Sequence, residues 1–348
     1  MRRRTIPRTI FVLAALALGG AATAFAFNLG GHYFSVLAVF SSGKAPIDDG
    51  RATEAFCSEL PDMSKELDAI TLRSDVFWSV QDRGWGSGGH CDSPVSRHMV
   101  QVQFYLHALT GRGASVPREA AKQMLRTLGE RIAASSENPQ ELANLHCERG
   151  FAAHLLGDTF AHVQLKSDPK TAEKYADPIG VLYDTGLGHF RDGVNPDYML
   201  WRSSPSFAEG VQWTGWIKAV ADYVDGRTTI HDAEELLKET ATARASTGSA
   251  DDIEKKFIDE LQHNTGALWL VELPEAKHDW TWSQTQACDD QVKRYFDKRQ
   301  PKPSDRPNCA IVWHEYLALA QQAFAAAHYT PDDSCAAPAT ALSDADHH

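Results

Sequence analysis

The residues of this chain best spaced for chemistry are His154-Leu-Leu-Gly-Asp158-Thr-Phe-Ala-His162. They lie inside Glu148-Arg-Gly-Phe-Ala-Ala-His-Leu-Leu-Gly-Asp-Thr-Phe-Ala-His, a proline-free run that reads as helix. Positions i, i+4 and i+8 differ by about 40° per step around a helix axis, so His154, Asp158 and His162 share one face. The rise from first to last is roughly 12 Å, a long reach for one tetrahedral zinc with ligand bonds of about 2 Å. A row of metal ions fits the spacing better, with the central carboxylate touching or bridging two of them. The same nine residues also fit a helix that carries two half-buried histidines beside an aspartate.

Four further places put His or Asp where the backbone turns sharply. His32 follows a glycine pair in Phe27-Asn-Leu-Gly-Gly-His32, and Asp62 follows Pro61. His90 ends Trp85-Gly-Ser-Gly-Gly-His90, and His189 with Asp192 sits in Thr185-Gly-Leu-Gly-His189-Phe-Arg-Asp192. With the central run they form an imidazole and carboxylate set without thiolates, which suits zinc and similar divalent ions. There is no G-x-S-x-G elbow, no P-loop and no dinucleotide-binding glycine fingerprint. Asp158 with Asp62 could form a general acid and base pair, but the surrounding histidines favour metal ligation.

The elements that must position these groups read as helices. Helical periodicity is expected in an apolar helix from about His32 and in another from Ala52 to Asp68, bent at Pro61. It continues over Val95 to Thr110, with His98 and His107 embedded, and over Pro117 to Ala134. The central helix is expected from Pro139 to about Leu165. Later helices are expected at Phe207 to Asp225, Ile230 to Ala245, Ile253 to Leu270, Gln284 to Phe296 and Cys309 to His328. Val76 to Pro94 reads as a Gly- and Trp-rich loop, and Pro301 to Pro307 as a linker. No alternating strand pattern of useful length and no internal repeat occurs, so the expected fold class is all-α. Trp269, Trp280, Trp282 and Trp313 read as packing residues.

The chain has 348 residues, 43% of them hydrophobic and 23% charged, with 15 histidines and a net charge of −12. That is globular composition, and the acidic balance argues against a broad basic nucleic-acid surface. Bound cations would still invert the charge of a local site. Arg2, Arg3, Arg4 and Arg8, the apolar Ile10 to Leu18 and the Ala24-Phe-Ala26 motif form an expected export signal over residues 1–26. Secretion or a periplasmic location follows from it. Cys57, Cys91, Cys147, Cys288, Cys309 and Cys335 are even in number and suggest disulfides, with Cys288 to Cys309 expected as a local pair. The expected organisation is a signal over 1–26, one helical domain over 27–329 and a disordered tail over 330–348.

These motifs resemble the zinc-dependent phospholipase C family and its relatives, the single-strand-specific zinc nucleases and the amino-terminal domain of glycosylphosphatidylinositol-specific phospholipase D. The resemblance covers roughly residues 27 to 200 and implies a phospholipase C/zinc nuclease-like helical bundle holding three zinc ions. Phe27-Asn-Leu-Gly-Gly-His32 is similar to the family's processed aromatic amino terminus followed by Gly-His. It implies the free amine and carbonyl of Phe27 and the imidazole of His32 as ligands. Leu60-Pro61-Asp62 matches the family's aspartate in a Pro-Asp context, which also implies a water-orienting or basic role for Asp62. His90 is the expected loop ligand, with His98 and His107 as rivals. His154, Asp158 and His162 match the central ligands, at the spacing of the phospholipase D branch. His189 and Asp192 take the final positions, with Asp184 and Asp197 as alternatives because the interval is one residue short. The resemblance implies an exported zinc-dependent phosphoric ester hydrolase acting on phospholipid head groups or nucleic acid, with possible peripheral membrane contact. The other reading kept open is a non-catalytic exported metal-binding or interaction protein.

Overall fold

In the computed structural model the described residues are 31–41, 48–63, 101–135, 138–164, 177, 179–183, 212–222, 256, 259, 286–298 and 305–329. Their helices, in chain order, are α1 (Gly31–Ser41), α2 (Asp49–Met63), α3 (Ser115–Ala134), α4 (Pro139–Ala161), α5 (Gln212–Ala221), α6 (Gln286–Lys298) and α7 (Cys309–Ala326). A further helical turn covers 101–105. The only extended pairing among the described residues is two isolated antiparallel bridges, Gly113 with Val181 and Val163 with Leu182. The all-α expectation holds at that level.

The centre of the bundle is α4. Its residues from Cys147 to Ala161 are buried without interruption, so it lacks the polar outer face of a surface helix. Asn138 caps it: the side-chain oxygen accepts from the backbone N–H groups of Gln140 (3.1 Å) and Glu141 (3.2 Å), and Pro139 takes the first helical position. At the other end Arg118 donates to the Thr159 carbonyl (2.8 Å) and its guanidinium lies 3.5 Å from the centre of the Phe160 ring. A cation there compensates the last carbonyls of the helix. Burial lowers the Arg118 pKa to about 10, with Asp177 and Glu119 opposing, which leaves it charged at neutral pH.

Helices α1, α2, α3, α5 and α7 all pack on α4. The α2–α4 seam is the tightest. Gly150 lies against the Glu54 carbonyl and Cys57, and a Cβ on it would stand 2.7 Å from the Cys57 Cβ. The absent side chain is what lets the two backbones approach. A disulfide, Cys57–Cys147, crosses the same seam, and a second, Cys288–Cys309, joins the start of α6 to the start of α7. The second is the local pair expected from sequence; the first, with 90 residues between its halves, was not. Trp313 packs partly buried against the core and stacks on Tyr316 (6.1 Å), as expected of a packing residue. Trp269, Trp280 and Trp282 lie outside the described residues.

Two helix ends differ from the sequence expectation. The periodicity carried helix through Thr110, but helical geometry ends at Tyr105 and Ala108 takes a left-handed conformation (φ 53°). The central helix was expected to reach Leu165, yet it stops at Ala161 with His162 as its cap. Both ends are pulled away by pairing with the same distant segment. Gly111 N–H donates to the Tyr183 carbonyl, Tyr183 N–H to the His162 carbonyl, and Leu182 N–H to the Arg112 carbonyl. Asp177 anchors this clip by accepting from the Ser115 backbone (3.0 Å) and hydroxyl (2.9 Å) at the start of α3. None of the described helices is long and apolar enough to cross a membrane.

Candidate metal centre

The stripe His146, Gly150, His154, Asp158 along α4, ending at His162, faces α2 and α1. Helix α2 answers with Glu54, Cys57, Ser58 and Asp62 at matching helical spacing. Pro61 sits inside its last turn and has no N–H to give the Cys57 carbonyl, so the helix is locally loosened where Asp62 turns inward. His32 lies on the first turn of α1. That turn is held by Glu59 of α2, whose carboxylate accepts from the Tyr33 backbone N–H (3.0 Å). Negative charge at a helix start is favourable there.

His32, Asp62, His107, His154, Asp158 and His162 thereby meet, each no more than 2% exposed. Asp158 is the hub. Its Oδ1 lies 3.3 Å from His32 Nε2, and its Oδ2 lies 3.1 Å from His107 Nδ1, 3.2 Å from His154 Nε2 and 3.8 Å from His162 Nδ1. His154 Nε2 and His107 Nδ1 are 3.2 Å apart, and His32 Nε2 is 3.8 Å from Asp62 Oδ2. Two triads, His32/His154/Asp158 and Asp62/His107/His154, each keep their donor atoms within 4.8 Å of one another, the grouping a metal ion requires.

The proton inventory shows why the group could hold a cation. His154 Nδ1 is 2.8 Å from the Ser58 carbonyl, which can only accept, so that nitrogen carries the single N–H of a neutral ring. Its Nε2 then turns a lone pair toward the Asp158 carboxylate. Burial, set against the attraction of Asp158, lowers the His154 pKa to about 4, which keeps the ring neutral at neutral pH. Burial pushes the Asp158 carboxyl up, but the imidazoles of His154, His162 and His107 around it outweigh that, and it ends well below the usual carboxylate range. A lone pair and a carboxylate oxygen therefore face each other at 3.2 Å in a dry interior, and one N–H on His107 Nδ1 cannot serve both. A cation held between them would resolve the conflict.

Backbone carbonyls orient the other rings, as outer partners of metal-binding histidines do. His162 Nδ1–H donates to the His107 carbonyl, which presents its Nε2 away from that bond. The left-handed Ala108 turns the chain just after His107, whose ring and carbonyl thus serve the same centre. On the His32 side, the ring packs 4.1 Å from the His154 ring and edge-on to Trp216 at 4.9 Å.

Of the residues singled out from sequence, His32, Asp62, His154, Asp158 and His162 come together. The loop position that sequence gave first to His90 is filled among the described residues by its rival His107. His90 and His98 lie outside the described residues, as do Phe27, His189, Asp192, Asp184 and Asp197. Sequence reading did not mark Ser58, Glu59, Gly157 or Trp216. Ser58 acts through its carbonyl, which no residue type betrays; Gly157, inside the His-to-Asp interval, was a visible signal of a close approach. No family model, no curated protein and no solved structure matches this chain.

Proposed function

We propose that this protein is an exported, zinc-dependent phosphoric ester hydrolase of the phospholipase C type, with a nuclease as its nearest variant. The observation that carries the reading is the confrontation of the His154 lone pair with the Asp158 carboxylate, among three further imidazoles and Asp62. Divalent ions held there would supply Lewis acidity toward water and toward the non-bridging oxygens of a phosphate ester. The chain's own contribution is placement. Asp158, with one oxygen toward His32 and the other toward His107 and His154, would be a central ligand of such ions. Asp62, 3.8 Å from His32 Nε2, would be placed to orient a water or take its proton. Two disulfides among the described residues accord with an oxidising compartment. The likeness of the motif order to phospholipase C and zinc nucleases supports the choice of phosphate esters.

The complete burial of all six side chains favours a second reading, an exported protein in which the ions are structural and no turnover occurs. Elemental analysis of the mature protein, paired with hydrolysis of phosphatidylcholine, single-stranded DNA and a chromogenic phosphodiester, separates the two. Bound zinc with chelator-sensitive cleavage of one of these supports the hydrolase. Bound zinc without cleavage supports the structural centre, and no bound metal refutes both.

A further inference from the structure

We infer that Trp216 is a positioning residue of the metal centre, setting the ring of His32 through a notch cut at Gly157. This rests on the metal-binding reading, not on the hydrolase. Trp216 is fully buried on α5, and its indole N–H donates to the Ala153 carbonyl at 3.1 Å. Ala153 stands one turn before Gly157 on α4, so the indole is pinned beside that glycine. A Cβ on Gly157 would lie 2.8 Å from His32 Cε1 and 2.9 Å from Trp216 Cε2. Both rings therefore occupy the space that any side chain at 157 would fill.

His32 is confined on three sides. Its ring has His154 at 4.1 Å, the edge of Trp216 at 4.9 Å and the bare backbone of Gly157 against Cε1. The direction left for Nε2 is toward Asp158 Oδ1 at 3.3 Å and Asp62 Oδ2 at 3.8 Å. Tolerance for a metal ligand is about 0.2 Å in distance, far less than an unconfined imidazole would wander. The indole thus acts as a wall, and its hydrogen bond fixes where the wall stands. This brings α5, which lies beyond the part of the chain carrying the ligand motifs, into the making of the site.

Cobalt(II) titration of the full mature chain tests the assignment, with metal content, visible spectrum and the melting temperature of the metal-free protein read on each variant. Trp216→Phe keeps a flat ring against His32 but loses the hydrogen bond to Ala153, and should weaken cobalt binding by about tenfold, the low end of the range for outer partners of metal ligands. Trp216→Leu opens the wall and should weaken cobalt binding by about 10–100-fold, the range for outer partners of metal ligands, and alter the visible band. If Trp216→Leu fails to fold, Gly157→Ala decides, since it pushes the same ring from the opposite side and adds helix propensity. It should show the same loss of cobalt while the metal-free protein still melts cooperatively, at a temperature somewhat below wild type because the Cβ crowds both rings. Wild-type affinity and spectrum in Trp216→Leu, or in Gly157→Ala where Leu does not fold, would overturn the positioning role alone. A wild-type protein that takes up no cobalt would overturn the metal centre and the inference with it.

Discussion

Two glycines in neighbouring helices should respond to the same substitution with opposite sign. Gly150 on α4 faces backbone: an added Cβ would press on the Glu54 carbonyl oxygen and stand 2.7 Å from Cys57 Cβ and 3.0 Å from the Cys57 carbonyl carbon. None of these atoms is the end of a flexible side chain, and Cys57 is tied to Cys147 on the same helix. Restoring ordinary contact of 3.4 Å requires α2 to retreat by at least about 0.7 Å at Cys57 (3.4 − 2.7) and by more at the Glu54 carbonyl. Overpacking of this kind costs about 1–3 kcal/mol, and the better helix propensity of alanine returns about 1 kcal/mol. Gly150→Ala should therefore lose up to about 2 kcal/mol. It should also weaken metal binding, because Ser58, whose carbonyl holds His154 at 2.8 Å, follows Cys57 directly. Gly129 on α3 faces only the Arg149 guanidinium, at 3.5 Å or more. Gly129→Ala meets ordinary contact with a movable group and should gain about 0.5–1 kcal/mol. Urea midpoints of the two metal-free variants, followed by competition with a chromophoric chelator, measure both effects. Equal stability changes in the two, or unchanged zinc affinity in Gly150→Ala, would refute the view that the α2–α4 spacing sets the site.

Asp158→Asn should remove at least one ion per chain and abolish hydrolysis, since an amide cannot hold two cations; full metal content by elemental analysis would displace Asp158 from the hub. The buried Glu148 carboxyl is raised to about 8 by burial and by Glu315, with Arg131 opposing. Its folded pKa lies above its unfolded value of 4.5, so the stability it lends is complete below about pH 4.5 and lost as pH rises through about 8. Glu148→Gln should thus gain on wild type across that window and hold a constant lead above it, readable from urea midpoints at pH 5, 7 and 9. Cys57→Ser with Cys147→Ser opens a loop of 90 residues and Cys288→Ser with Cys309→Ser one of 21. Loop entropy predicts losses of about 4–5 and about 3 kcal/mol, so the first pair should melt lower; the reverse order would show that the seam tolerates its absence.

What the sequence made legible was whatever a local rule controls. The four-residue period of His154, Asp158 and His162 needs only a helix to bring them onto one face. A glycine pair before His32 and a proline before Asp62 mark where the backbone bends toward a site. The short interval between Cys288 and Cys309 made their pairing a local matter. The helix ends at Tyr105 and Ala161 were not legible, because both are decided by hydrogen bonds to residues 181–183, some 20 to 75 positions away. Periodicity continues past each end, and only the competing partner stops the helix.

The same distinction explains the site itself. His107 stood among three candidates with nothing local to choose it, since embedding it in a helix to Thr110 would give its ring a different direction from the one it takes. The left-handed turn at Ala108 supplies that direction, and an alanine gives no hint of it. Nothing in the sequence marks Trp216, and by burial it is a packing aromatic. Its second role follows only from its neighbours, a glycine on α4 and an imidazole on α1, which the chain brings together from 59 and 184 residues away (216 − 157 and 216 − 32). Glu148, beside Arg149 on α4, would pass for a solvated charge until Arg131 of α3 and Glu315 of α7 are brought against it. Ligand types and their intervals can thus be read along the chain, whereas the tautomers, ring angles and charge states that let them hold an ion are properties of packed helices.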